Sequence, residues 1–121
     1  MPDRATKLIG VVGVCASGKS TLIQGLEARG YRVRHIAQEH SYVKDMWKRI
    51  THPDILIFLD ASYATTRQRR KQDWTEADWA EQQHRLRHAH TYADFYLNTD
   101  TLAPDQVLQR VVDFLTENFA A

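Results

Sequence analysis

The chain has 121 residues, of which 43% are hydrophobic and 26% charged, a composition typical of one globular domain and unlike that of disordered or fibrous proteins. Its formal net charge of +1 argues against a dedicated nucleic-acid-binding module, which would carry a basic excess. No apolar run reaches the roughly 20 residues of a membrane helix, and the single cysteine, Cys15, fits a reducing compartment. We therefore expect one cytoplasmic domain over residues 1–121, with no nucleic-acid or membrane partner.

The first half of the chain predicts strands that alternate with helices. A short β-branched run over residues 8–12 is followed at once by turn residues and predicts a buried strand. A helical pattern over residues 19–29 stops at Gly30, which suits a helix C-terminus. The next predicted elements are a strand over residues 31–37, a helix over 41–50 and a clearly buried strand over 54–60.

The second half is predicted to be mainly helical. A short helix covers residues 62–70, and Thr75 with Asp78 resembles a capping box that opens a long helix reaching Tyr92. Residues 94–98 predict a fourth strand, and Pro104 suits the first turn of a last helix with one apolar stripe. The alternation predicts an α/β fold with three layers, in which helices flank a parallel sheet of about four strands. The edges of so small a sheet are consistent with a homodimer.

A phosphate-binding loop is predicted between the first strand and the first helix. Residues 13–20, hereafter the glycine loop, satisfy G-x-x-x-x-G-K-[ST] and read Gly13-Val14-Cys15-Ala16-Ser17-Gly18-Lys19-Ser20. Glycines let the backbone curl so that successive amides, from Ala16 to Ser20, face phosphate oxygens, and the helix adds its positive dipole end. Lys19 is placed to reach the β- and γ-phosphates, the Ser20 hydroxyl to join a Mg²⁺ shell, and Thr21 to bond the α-phosphate.

With this loop the chain resembles the P-loop NTPases, in particular the small nucleoside- and nucleotide-kinase-like group that includes dephospho-CoA kinase-like proteins. A looser match runs from the strand end Leu59-Asp60-Ala61, through an arginine cluster, to Ala93-Asp94-Phe95-Tyr96-Leu97-Asn98. The resemblance implies that Arg67, Arg69 and Arg70 border a phosphate and that Asn98 to Asp100 lie near the base. These kinases usually have one further strand before the strand matched by residues 54–60, and here there is no room for it. The acceptor-binding segment is therefore expected to be short.

Two acidic residues are candidates for assisting the metal. Glu39 follows the second strand and Asp60 ends the third, so both lie at the carboxyl edge of a parallel sheet, where ligands bind. Glu39 could hold Mg²⁺ or accept a proton from an acceptor, or it could be a solvated loop residue. Asp60 could join the metal or cap the helix after it. His40 is a weaker candidate for a base.

Several basic and aromatic residues have two possible roles. The basic cluster over residues 67–71 could bind the γ-phosphate during its transfer, or it could form a solvated helix end. Arg85 is a candidate supporting residue by analogy, although a salt bridge with Glu81 explains it equally well. His84 and His88 have the i, i+4 spacing of a helical zinc pair without an identifiable third ligand. The tryptophans at positions 47, 74 and 79 could stack on a ring, but core packing is the simpler interpretation.

The sequence thus predicts a kinase that transfers the γ-phosphoryl group of Mg-ATP to a small-molecule acceptor. Lys19, Glu39, Arg67 and Arg70 are the candidate catalytic residues. The candidate nucleotide-binding residues are Gly13, Ala16, Ser17, Gly18, Lys19, Ser20, Thr21 and Asn98, and the candidate metal ligands are Ser20, Glu39 and Asp60. Two alternatives stay open, namely an NTP hydrolase and a nucleotide-sensing module without catalysis.

Overall fold

A computed structural model of the chain describes residues 7–70 and 73–119. Within these two ranges, four strands form one all-parallel sheet with the order β2-β1-β3-β4. The strands are β1 (Leu8–Gly13), β2 (Arg32–His35), β3 (Ile55–Asp60) and β4 (Phe95–Asn98). Ile9 pairs with both Val33 and Ile55, and Ile57 pairs with Phe95. This confirms the α/β fold and the four-stranded parallel sheet.

In the part of the chain that the structure describes, five α-helices flank the sheet: α1 (Lys19–Ala28), α2 (Tyr63–Arg70), α3 (Glu76–Arg85), α4 (Arg87–Tyr92) and α5 (Pro104–Phe119). Gly30 has a φ of 89°, and the amide of Tyr31 bonds the carbonyl of Leu26, so α1 ends as its sequence predicts. The capping box of Thr75 and Asp78 is present at the start of α3. Among residues 7–70 and 73–119, no helix is both long and apolar enough to cross a bilayer.

Two predicted helices differ from the structure. The long helix expected from Thr75 to Tyr92 is interrupted at Leu86, between α3 and α4. The helix expected over residues 41–50 is wrong: a 3₁₀ turn covers Gln38–His40, and only a π-helical segment, Trp47–Thr51, follows. The reason is local, because the Ser41 hydroxyl accepts a bond from the Val43 amide and holds a turn where the helix would begin.

The sheet separates two cores, which makes the three layers. One core is aliphatic and lies under α1 and α5; we call this side the aliphatic face. Its buried members are Ile9, Val11, Leu22, Leu26, Ile55, Ile57, Leu59, Leu97, Val107, Val111 and Leu115. The other core lies under α3 and α4, and we call this side the aromatic face. Its buried members are Val12, Val14, Ile36, Trp47, Leu56, Phe58, Trp74, Leu86 and Ala89.

Candidate functional site

The glycine loop joins the carboxyl end of β1 to the start of α1, and its carbonyl groups point into the protein. Lys19 Nζ donates to the carbonyls of Gly13 and Val14 at 2.7 and 3.0 Å. The carbonyl of Ala16 accepts from Arg69 at 2.9 Å, and that of Ser17 accepts from the Thr99 hydroxyl at 2.9 Å. These contacts satisfy four of the loop's acceptors, and the amide of Ser17 donates to the carbonyl of Val14 at 3.1 Å. The amides of Ala16, Gly18, Lys19 and Ser20 are therefore the donors best placed to face a ligand.

The backbone of the loop requires small residues. Gly18 has a φ of 105° and Ala16 a φ of 66°, both in the left-handed region that curls successive amides to one side. A Cβ at Gly13 would collide with the carbonyl of Leu59 and approach the Ser17 hydroxyl to 2.8 Å. No side chain caps the start of α1, so its first amides are available to an anion.

A buried ion pair lies beside the loop. Lys19 Nζ is 3.1 Å from Glu39 Oε2, and the two side chains are only 6% and 3% exposed. With the carbonyls of Gly13 and Val14, this pair uses all three donors of the ammonium group. The sequence placed Lys19 and Glu39 in the same crevice, and the structure brings them into direct contact.

Glu39 is held in place by elements of the aromatic face. The 3₁₀ turn that contains it follows β2, and β2 pairs directly with β1. Its neighbour Gln38 is fully buried, accepts from the amide of Trp47 at 2.8 Å and donates to the carbonyls of Val43 and Arg85. Arg85 Nη1 in turn donates to the carbonyl of Glu39 at 3.3 Å. Arg85 also pairs with Glu81 at 3.2 Å, which is the salt bridge considered from the sequence. Its supporting role by analogy stays a prediction.

Two buried polar atoms at the site have no hydrogen-bond partner among the described residues, Glu39 Oε1 and Ser17 Oγ. An unpaired buried carboxylate oxygen is unfavourable, and an approaching cation would satisfy it. The nearby His35 ring has a lowered pKa, because partial burial and the Lys19 ammonium together outweigh the attraction of Glu39. The charges of Lys19 and Glu39 offset each other, and Oε1 of Glu39 remains without a hydrogen-bond donor among the described residues.

Of the three arginines on α2, Arg69 contacts the glycine loop. Besides its bond to Ala16, it donates to the hydroxyl and the carbonyl of Thr99 at 3.0 and 2.8 Å. Arg70 lies over the Trp74 ring, 4.8 Å from its centroid. The exposed side chain of Arg67 makes no hydrogen bond or ion pair with the described residues, and Lys71 lies outside them. The catalytic roles predicted for Arg67 and Arg70 stay predictions without a contact to the loop.

A cavity of about 540 Å³ adjoins the loop on the side of Arg69. Its walls come from the loop, the first turn of α1 and the segment between β4 and α5. They include Ser17, Gly18, Thr21, Arg69, Thr99 and Leu102. This volume lies within the range of small-molecule sites, about 300–1,000 Å³, and the wall combines apolar side chains with a guanidinium group.

Asp60 lies apart from Lys19 and Glu39 in its contacts. Its carboxylate accepts from the Tyr96 hydroxyl at 2.6 Å, from Gln83 Nε2 at 2.7 Å and from the amide of Ala61. It does not cap α2, because the Ser62 hydroxyl accepts from the Thr65 amide instead. Within the described residues, no hydrogen bond or ion pair joins Asp60 to Lys19 or Ser20, so a direct metal role gains no support.

The remaining candidates have other partners. Asn98 accepts from the amide of Asp100 at 2.8 Å and is exposed. His84 and His88 lie on either side of the helix break, and His88 Nδ1 accepts from the indole of Trp47. Trp47 and Trp74 are buried in the aromatic face, which confirms the core-packing interpretation for these two.

Two supporting residues were not predicted from the sequence, Gln38 and Gln82, and Thr99 lies within the range 98–100 that the resemblance placed near the base. Gln82 holds the back of the loop, since its Oε1 accepts from the Cys15 amide at 2.9 Å. Thr99 links Ser17 to Arg69. A glutamine in a predicted helix carries no local signal of such a contact, because the contact spans 67 residues of sequence.

Comparison of the chain with protein-family models gives no match, and no curated protein matches its sequence significantly.

Proposed function

We propose that this chain binds ATP at the glycine loop and transfers its γ-phosphoryl group to a small-molecule acceptor. The observation that carries the proposal is the buried Lys19–Glu39 pair, set into a loop whose carbonyls are turned inward. A glycine turn with only a structural role would not need a buried ammonium ion and a buried carboxylate. Phosphoryl transfer depends mainly on positioning and on neutralising charge, and both are what such a pair can contribute.

The loop residues would bind the phosphates. The amides from Ala16 to Ser20 donate to phosphate oxygens, and Lys19 exchanges one of its present acceptors for a β- or γ-oxygen. Arg69, fixed between Ala16 and Thr99, presents its guanidinium group to the same crevice and takes the role that the sequence assigned to Arg67 and Arg70. The nucleoside would occupy the 540 Å³ cavity, where Thr21 and Thr99 line the wall.

Glu39 would organise the metal end of the site. A bound Mg²⁺ would neutralise charge on the phosphates, and Ser20 with Glu39 Oε1 offers it oxygen ligands. The free Oε1 atom fits this group, since it is buried without a donor. In the transfer, the γ-phosphorus leaves the bridging oxygen of ADP and bonds the acceptor oxygen, whose proton passes to a base or to water. Because Mg²⁺ and Lys19 would hold both oxygens of Glu39, His40 or water would accept that proton.

A nucleotide-sensing module is the second candidate function. One observation favours it: β2 pairs directly with β1, so the extra strand that precedes the acceptor segment in small kinases has no place in this sheet. Without that segment the loop could bind ATP, and the exposed segment after Glu39 could report binding to a partner. Hydrolysis needs only the binding of ATP and Mg²⁺, because water takes the place of the small-molecule acceptor.

Phosphorus NMR tests the proposal directly. The protein is incubated with Mg-ATP, alone and with pooled nucleosides, nucleotides and small metabolite alcohols. We expect a new phosphoester signal that appears together with ADP and is lost in Lys19→Ala but kept in Lys44→Ala, which removes an exposed lysine. Free phosphate alone would indicate a hydrolase, and ATP binding without turnover would favour the sensor.

A matched pair of variants on α2 separates the roles of its arginines. Arg69→Ala should reduce turnover by about 100-fold or more, because a charge-assisted contact to the transferring group is lost. Arg67→Ala, two residues earlier on the same helix, should leave turnover within about twofold. Equal losses in the two variants would contradict the role given to Arg69.

A further inference from the structure

A second group of side chains lies next to the Lys19–Glu39 pair. Cys15 lies in the glycine loop, and Glu39 and His40 lie in the 3₁₀ turn after β2. Cys15 Sγ is 3.7 Å from His40 Nε2, and His40 Nε2 is 3.8 Å from Glu39 Oε2. One ligand atom from each of the three residues lies within 4.8 Å of the other two. The adjacency of β1 and β2 brings these distant parts of the sequence together.

The separations are close to those of a tetrahedral zinc centre. Zinc bonds of about 2.0–2.3 Å to nitrogen, oxygen and sulfur place neighbouring ligand atoms roughly 3.4–3.6 Å apart. The two distances that involve His40 exceed this by a few tenths of an ångström. The His40 side chain is 59% exposed, so it has room to adjust and leaves the cluster open to solvent.

A further observation concerns the other oxygen of Glu39, since the 3.8 Å distance to His40 is that of Oε2. Glu39 Oε1 is buried and has no hydrogen-bond donor among the described residues, while Oε2 is bound by Lys19. Because a carboxylate has two oxygens, Glu39 can keep its bond to Lys19 and still bind a metal ion. The metal would remove the cost of the unpaired buried oxygen.

The chemistry of the ligands selects the ion. Thiolate and imidazole prefer Zn²⁺ and similar ions, whereas Mg²⁺ prefers oxygen ligands alone. We propose that Cys15, Glu39 and His40 bind Zn²⁺, with the fourth position open. Since Glu39 is shared, zinc and Mg-nucleotide compete for the site; this second part rests on the proposed function.

Cobalt titration of the full chain tests the metal site. Cys15 is the only cysteine, so a thiolate-to-cobalt charge-transfer band reports this residue alone. We expect the band on adding Co²⁺ and its loss on adding Zn²⁺. Cys15→Ser should abolish the band, and His40→Ala should weaken Co²⁺ binding by about 10- to 100-fold. His84→Ala removes another exposed histidine and should change neither. Binding without the band, or equal affinity in His40→Ala, would overturn the site.

Competition is measured separately, as ATP binding with Mg²⁺ before and after adding Zn²⁺. Zinc should weaken ATP binding to the wild type far more than to His40→Ala, a comparison that also removes the effect of zinc on free ATP. Equal weakening in both proteins would overturn the competition. If ATP fails to bind even without zinc, the proposed function is wrong, and the cobalt band still decides the metal site.

Discussion

The two faces of the sheet bury different kinds of side chain. The aliphatic face is closed by α1 and α5, and the side chains of its buried cluster are those of Val, Ile and Leu. The aromatic face includes two tryptophans, and the segments on its side bury polar side chains as well, namely Gln38, Glu39, Thr66 and Gln82. Polar burial is tolerated only where partners are built for it. The difference indicates two contributions to the candidate site. The aromatic face positions Glu39 through polar contacts, whereas the aliphatic face holds α1, which carries Lys19, and contributes Leu22 and Val107 to the cavity wall.

The largest expected effect on stability alone comes from the aliphatic face. Leu26→Ala empties a fully buried position under α1 and should lower the free energy of unfolding by about 3–4 kcal/mol. Urea denaturation measures the loss. ATP affinity, measured where the variant is still folded, should stay within about twofold, since Leu26 neither lines the cavity nor takes part in the Lys19–Glu39 pair. A large loss of affinity would mean that the two faces are not separate in function.

The buried ion pair should give the next largest effect. Lys19→Met leaves the Glu39 carboxylate buried with no counter-charge and should lower the free energy of unfolding by about 3 kcal/mol. Glu39→Gln should do less harm, because Lys19 keeps the carbonyls of Gly13 and Val14.

The double variant Lys19→Met/Glu39→Gln completes a thermodynamic cycle for this pair. It should be more stable than Lys19→Met alone, with a coupling energy above about 1 kcal/mol in urea denaturation. Additive losses would show that the pair is not coupled, and would remove the main physical argument for an electrostatic site on this face.

Gln38 tests whether the aromatic face supports the site through its polar contacts. Gln38→Leu leaves the amide of Trp47 and the carbonyls of Val43 and Arg85 without their partner. We expect a loss of about 2 kcal/mol in stability and a weaker affinity for Mg-ATP, because the turn that holds Glu39 is loosened. The matched control is Gln109→Leu at an exposed position of α5, which should change the free energy of unfolding by less than about 0.5 kcal/mol.

The fold was largely predictable because its signals are local. Short apolar or alternating runs predicted the strands, and the capping box and Gly30 marked helix ends through contacts within five residues. The failure over residues 41–50 has a different cause. The amide of Trp47 bonds the side chain of Gln38 rather than a helical carbonyl, and apolar spacing contains no information on such a bond.

The candidate site was predictable only in part. The glycine loop is a contiguous motif, so Lys19 and Ser20 could be named directly, and Glu39 followed from its place after a strand. The choice among Arg67, Arg69 and Arg70 could not be made, since successive helical residues differ by about 100° in direction. That direction depends on how α2 packs, which places Arg69 against Thr99, 30 residues away.

The smallest expected effect concerns Asp60, whose carboxylate is held by Tyr96, Gln83 and the amide of Ala61 rather than by the Lys19–Glu39 pair. Tyr96 donates to its carboxylate at 2.6 Å, and burial, reinforced by this bond and by the charge of Asp60, raises the pKa of Tyr96 to about 12. Tyr96→Phe should lower the free energy of unfolding by about 1 kcal/mol at pH 8, since the ring is partly exposed.

The pH dependence of this variant gives the sharper test. A phenol whose folded pKa is raised contributes stability below its unfolded pKa of about 10, and loses that contribution as the pH rises through 12. The difference in the free energy of unfolding between wild type and Tyr96→Phe should therefore narrow from pH 10 upward. In absorbance titrations, the phenolate signal that develops last should be absent in Tyr96→Phe and present in Tyr92→Phe. ATP affinity should not change in either variant at pH 8. A loss of ATP affinity in Tyr96→Phe alone would indicate that Asp60 belongs to the nucleotide site. The carboxylate of the site would then come from the third strand rather than from the turn after the second.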